Sequence, residues 1–261
     1  MAAIYSVTNQ KGGVGKTTTC LCLGSALAEM GYRILLVDFD PQAGLTVSLG
    51  NDPDTFSKTI YDSLINCEQY PIKEVIKDTG IQNLHFVPSN LDLAGAEGEL
   101  IGEIGWDRNL KDALNEIKNN YDFIFIDCPP SLGVLTTNAL ICADTVIIPV
   151  QTEYLAVRGL KQLGSIVEKV RKKGNPGLRK RILRTMHNTR TLHSREVVEE
   201  LEKIFPDEVF QTVIKRTVKF ADASLAGMPI IHYAKTSEAA EAYRELAKEV
   251  IEDAKKAISE G

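Results

Sequence analysis

A strand, a glycine-rich loop and a helix in immediate succession leave this chain few folds to choose from. The loop is Asn9-Gln-Lys-Gly-Gly-Val-Gly-Lys-Thr-Thr18, set between an apolar, β-branched run at residues 3–8 and a helical pattern at 16–30. Glycines let backbone N–H groups turn inward without a Cβ in the way, and the helix start adds the positive end of its dipole. Together they form a cradle for phosphate. Lys16 then stands within reach of the β- and γ-phosphates of a nucleotide, and the Thr17 hydroxyl can ligate Mg2+. A turn that merely opens a helix would account for the glycines but not for Gly-Lys-Thr at the helix start.

The rest of the chain repeats this alternation. Residues 3–8, 33–38, 84–88, 122–127, 145–150 and 182–186 read as strands, several of them apolar almost throughout, as strands buried on both faces are. Helical patterns lie near 16–30, 106–120, 134–142, 155–173 and 194–204. The expected fold is α/β, a mostly parallel twisted sheet with helices on both faces. After Thr236, one helical face collects Ala239, Ala242, Tyr243, Leu246, Ala247, Val250, Ile251, Ala254 and Ile258, which suits packing onto the sheet. No repeat or long linker divides the chain, so residues 1–261 are expected to form a single domain.

Composition excludes several classes. The 261 residues are 44% hydrophobic and 25% charged, the balance of an ordinary globular protein. No apolar stretch approaches the roughly 20 residues of a membrane span, and no basic, apolar leader opens the chain, so a cytoplasmic location and no membrane partner are expected. The cysteines at 20, 22, 67, 128 and 142 form no CxxC pair, which points to buried small hydrophobes rather than disulfides or zinc. The net charge of −5 conceals an acidic first half and a basic second half, so a polyanion would meet the latter.

Carboxylates at strand ends complete the chemistry. Leu35-Leu-Val-Asp-Phe-Asp-Pro-Gln42 is an apolar strand ending in Asp38 and Asp40, which face the same way in an extended chain. One can approach a magnesium shell while the other aligns water; alternatively, Asp38 only caps the following helix. Tyr121-Asp-Phe-Ile-Phe-Ile-Asp-Cys-Pro-Pro130 drives a second strand to Asp127, an acid opposite the loop that can hold Mg2+. Loop and both acidic strand ends occur in an order hard to reach by accident.

The loop departs from the generic G-x-x-x-x-G-K-[ST] pattern: Gln10 takes the first glycine position and Lys11 precedes Gly12 and Gly13. In this it resembles the deviant Walker ATPases, K-G-G-x-G-K-T-[ST], and among them the ParA/Soj partition ATPases. Further segments resemble that family, including Asn90-Leu-Asp-Leu-Ala-Gly-Ala-Glu97, Ile148-Pro-Val-Gln-Thr-Glu-Tyr154, Thr185-Met186 with Arg190, and Glu238-Ala-Ala-Glu-Ala-Tyr243. The resemblance implies ATP and Mg2+ as ligands, phosphate contacts from Lys11, Gly12, Gly13, Val14, Gly15, Lys16, Thr17 and Thr18, and a metal held by Thr17, Asp38 and Asp127. It makes Lys11, Lys16 and Asp40 the catalytic set, with Lys11 crossing an ATP-bridged homodimer and Asp40 positioning the attacking water. Further nucleotide contacts are implied for Met186 and for Lys215 and Thr217, in Ile214-Lys-Arg-Thr217 where the family has I-P-R-N.

The same resemblance implies nonspecific DNA binding, a ParB-like activator and association with the nucleoid. Arg216 and Lys219 are the DNA contacts it favours, with Arg195 and Lys235 among other cations of the basic half; the run 169–184, eight basic residues and no acid, is a further footprint for phosphates. No helix-turn-helix precedes the loop, so operator-specific repression is not expected. A MinD-like cell-division ATPase would end in a basic amphipathic helix, whereas residues 238–260 carry seven acids against four bases. A nitrogenase-iron-protein-like reductase would need two suitably placed cysteines for a shared cluster. A nucleotide-switched scaffold that positions another cargo remains the non-enzymatic alternative.

Overall fold

The computed structural model describes residues 2–152, 156–187 and 192–260, apart from the side chains at 156–158, 192–196, 199, 258 and 260. Arg190, residues 153–154 of the segment ending at Tyr154, and the side chains of Arg195 and Ile258 lie outside the described residues. From the N-terminus, β1 (Ala3–Val7) leads through the loop to α1 (Lys16–Glu29), followed by β2 (Ile34–Asp38), α2 (Gly44–Ser48), α3 (Ile60–Ile65) and α4 (Ile72–Val75). Then come β3 (Lys77–Asp78), β4 (Leu84–Val87), α5 (Leu93–Leu100), α6 (Asn109–Asn115), β5 (Phe123–Asp127), α7 (Val134–Cys142), β6 (Thr145–Gln151) and α8 (Ala156–Lys173). The chain ends with β7 (Arg179–His187), α9 (Leu192–Ile204), β8 (Val209–Lys215), α10 (Lys219–Leu225), α11 (Ile230–Tyr233) and α12 (Glu238–Glu260).

Among the described residues the eight strands form one sheet in the order β3-β4-β2-β5-β1-β6-β7-β8. All pairings are parallel except that of the short edge strand β3 with β4. Side-chain alternation splits each central strand between two cores. Tyr5, Val7, Ile34, Leu36, Phe123 and Phe125 face α1 and α12, while Ile4, Leu35, Val37, Ile124 and Ile126 face the layer of α5, α6 and α7. This is why the strands read as continuous apolar runs: neither face meets water. Of the predicted face of α12, Tyr243, Leu246, Ala247, Val250 and Ala254 enter the first core and Ala239, Ala242 and Ile251 pack partly buried against it, while Ala240, outside that face, is buried as well. All five cysteines are free thiols, and only Cys67 is less than fully buried.

The structure extends the sequence reading in places. β7 begins at Arg179 rather than near 182, because Arg179 and Arg181 pair with Asp253 and Lys180 with Glu208, so a basic segment can join the sheet. β8, β3 and the one- or two-turn helices α2 to α5, α10 and α11 gave no readable periodicity. The expected helix at 106–120 is shorter, a 3-10 turn at Trp106–Arg108 followed by α6. The basic run 169–184 lies largely at the end of α8 and the start of β7, the edge of the sheet opposite the loop. Arg184 is 4% exposed and spent on Glu202 and the carbonyls of Phe210 and Gln211. Half of that footprint is therefore structural.

Candidate nucleotide site

Parallel pairing brings the ends of β1, β2 and β5 to one edge, where Val7 and Asp38 are both in register with Asp127. The loop leaves β1 there. Gly13 and Gly15 adopt φ of 71° and 91°, a region that only glycine enters without strain, and Gly15 is the residue from which α1 starts. The loop is tied down on both sides. Thr185 Oγ1 donates to the Val14 carbonyl at 2.8 Å, and Asn9 Nδ2 donates to the Pro149 carbonyl at 2.7 Å. Lys16, the first residue of α1, is 8% exposed, so little of its side chain meets bulk water.

The acids predicted from the strand ends do meet the loop. Thr17 Oγ1 donates to Asp127 Oδ2 at 2.6 Å, while Asp127 Oδ1 is buried without a hydrogen-bond partner. Asp38 Oδ2 accepts from both the amide and the hydroxyl of Thr46, at 2.8 and 2.7 Å, and Oδ1 accepts from the Asp40 amide at 3.3 Å. Because Thr46 lies in the first turn of α2, Asp38 also caps that helix, so the capping role and the place at the sheet edge coexist. Both carboxyls are held well above the usual carboxylate range. Burial is the main cause for each; the Asp38 charge adds to it at Asp127, and the Thr46 bonds partly offset it at Asp38. Two buried acids with an orphaned oxygen form a site suited to a hard cation. Among the described residues no cluster of three or more His, Cys, Asp or Glu is placed to hold a metal ion by itself.

Asp40 is half-buried, its Oδ1 accepting from the Gln42 amide at 2.9 Å and its carbonyl from Ser89 Oγ at 2.9 Å. Lys11 is exposed on the flank of the loop, with Nζ 3.0 Å from Gln151 Oε1 at the end of β6. Beside Gly15, a cavity of about 250 Å3 is lined by Thr18, Met186, Lys215, Thr217 and Tyr243, so the further nucleotide residues expected from the sequence do converge. Met186 has φ of 49°, uncommon for a side chain of its size and a mark of a constrained backbone. Lys215 Nζ also pairs with Glu238 at 3.1 Å. Arg216, Lys219 and Lys235 are exposed. Thr46 and Ser89 carry no local motif, and only the fold reveals them; Thr185 and Gln151 lie in segments that the resemblance picked out, but only the fold shows their bonds to the loop.

Fold and loop together define a P-loop nucleotide-binding ATPase fold of the deviant Walker type. Residues 2–180 match the family model described as "AAA domain". The chain is 47% identical over 251 residues to the sporulation initiation inhibitor protein Soj of Bacillus subtilis, spanning 96% of this chain and 98% of that protein. It is 43% identical to the chromosome partitioning protein ParA of Myxococcus xanthus, over 95% of this chain and 87% of that one. A Mycobacterium smegmatis crystal structure described as cobyrinic acid a,c-diamide synthase with bound ADP and magnesium superposes with a TM-score of 0.86 at 38% identity, covering 98% and 96% of the two chains. The chain belongs to the ParA/Soj family of partition ATPases.

Proposed function

We propose that the chain is a Mg2+-dependent ATPase whose ATP-bound form pairs as a homodimer, binds DNA without sequence preference, and serves DNA segregation with a ParB-like partner that speeds its turnover. The observation that carries this reading is the meeting of Thr17, Asp127 and Asp38 at the loop. Asp127 keeps one buried oxygen without a hydrogen-bond partner, and a cation bound with the phosphates would satisfy it. Thr17, Asp127 and Asp38 would hold Mg2+, which supplies charge neutralisation on the phosphate oxygens when bound. Loop amides and Lys16 bind and orient the phosphates, Lys16 countering charge on the terminal group. Asp40 orients the attacking water. Lys11, on the exposed flank of the loop, reaches the γ-phosphate held by a second copy, so pairing assembles the complete set of cations only when the triphosphate is present. The ligand thus biases a two-state equilibrium between monomer and dimer.

Met186, Lys215 and Thr217 take the base-side end of the nucleotide, and Arg216 and Lys219, next to that cavity, are the DNA contacts this reading favours, with Lys235 exposed nearby in sequence and Arg195 on α9. Contact with DNA phosphates through such cations makes binding fall steeply with salt. The test is a pair of variants. Lys16→Ala loses ATP-dependent dimerisation, while Asp40→Ala keeps a long-lived dimer that is retained on DNA only with ATP. Normal hydrolysis by Asp40→Ala overturns the water-positioning role, and absence of hydrolysis by the parent chain, with or without DNA, favours a nucleotide-switched scaffold instead.

A further inference from the structure

The hydroxyl of Thr46 is fully buried and has a single proton to give. The Ser89 amide donates to Thr46 Oγ1 at 3.1 Å, so that proton is directed at Asp38 Oδ2, 2.7 Å away, where the Thr46 amide also ends at 2.8 Å. Ser89 in turn holds the Asp40 carbonyl through its own hydroxyl at 2.9 Å. A continuous chain of bonds therefore runs from the end of β4 through Thr46 to Asp38. Oδ2 is saturated by two donors, and Oδ1, with only the Asp40 amide at 3.3 Å, is the oxygen left open.

We propose that Thr46 is a positioning residue for Asp38: it locks one carboxylate oxygen so that the other faces the Mg2+ site, setting the Mg2+ dependence of nucleotide binding. This rests on the metal-side reading of Asp38 given above. Thr46 acts through Asp38, since its hydroxyl bonds end on that carboxylate and on Ser89. Valine at this position would keep the branched shape, lose the donated proton and leave the Ser89 amide without its acceptor. Serine would keep the proton.

The experiment titrates Mg2+ against binding of ATP carrying a fluorophore on its ribose, using the full chain. Thr46→Val is expected to raise the Mg2+ concentration for half-maximal binding by about tenfold, the order set by one hydrogen bond to a charged group, while Thr46→Ser stays within about twofold of the parent. In an Asp38→Asn background the valine change adds nothing further, as a residue acting through Asp38 requires. Melting without nucleotide and Mg2+ checks each fold, and Thr46→Ala replaces Thr46→Val in the same cycle if the latter does not melt cooperatively. A parent-like titration in Thr46→Val, alongside a shifted one in Asp38→Asn, overturns the proposal alone; so does equal impairment by valine and serine, or a full valine effect on top of Asp38→Asn. An unshifted Asp38→Asn instead removes the metal-side reading of Asp38, and the role of Thr46 with it.

Discussion

Removing one charge from the carboxylate pair should stabilise the nucleotide-free protein. Asp127 is 1% exposed and Asp38 0%, in register on neighbouring strands, and Asp127 Oδ1 lacks any partner. Adjacent strands stand about 5 Å apart, and two unit charges at that distance repel by roughly 3 kcal/mol at an effective dielectric of about 20. Asp127→Asn removes that repulsion while its amide oxygen can still accept from Thr17. In a chain of this length the gain corresponds to a rise in Tm of roughly 5 °C, without nucleotide or Mg2+, at a pH alkaline enough to strip the proton that the folded pair retains. The sign with pH follows from the raised native pKa of both acids. Each keeps its proton in the folded state after the unfolded chain has lost it, so their contribution is fully present below the unfolded value of about 4 and is lost as pH rises through the folded value. The parent should therefore lose stability from mildly acid to alkaline pH more steeply than the variant, and the advantage of Asp127→Asn should grow with pH. Scanning calorimetry at several pH values measures this. A variant less stable than the parent at such alkaline pH, or an advantage that shrinks as pH rises, would refute the picture of two buried acids awaiting a cation.

Three other substitutions test the frame around the site. Gly227 has φ of 64°, and a Cβ built on it lies 2.7 Å from the Gly50 Cα, where α10 passes α2; Gly227→Ala should cost about 2 kcal/mol or more and lower Tm visibly, and an unchanged Tm contradicts the close approach. Thr185→Val removes the bond to the Val14 carbonyl, worth about 1 kcal/mol, so ATP should bind roughly fivefold more weakly by isothermal titration if loop anchoring matters. Arg184→Met strips the carbonyls of Phe210 and Gln211 of their buried donor, at a cost of about 3 kcal/mol, and hydrogen exchange should quicken first in β8; DNA retention lost without any loss of stability would instead restore Arg184 to the DNA surface.

Much of the site was legible because its chemistry is local. Gly13, Gly15, Lys16 and Thr17 lie on one continuous turn, so their spacing alone specifies a cradle. Asp38 and Asp127 were legible for a different reason: each ends an apolar strand, and parallel strands deliver such ends to a common edge. The short helices were not legible, since four to eight residues make too few turns for a face to repeat. Nor was the fate of the basic run 169–184, whose partners Glu202, Glu208 and Asp253 come from other elements.

The order of strand, loop, helix and terminal acid along the chain was thus enough to specify a parallel sheet with a phosphate cradle at one edge, because backbone geometry and side-chain period act over a few residues. Which hydroxyl holds Asp38, which threonine anchors the loop and which arginine is buried instead of offered to DNA were decided only when β4 came to lie beside β2, β7 beside β6 and β8 beside β7. Hydrogen bonds and ion pairs form between groups that are near in space, and for Thr46 and Ser89, or Val14 and Thr185, nearness in space owes nothing to nearness in the chain.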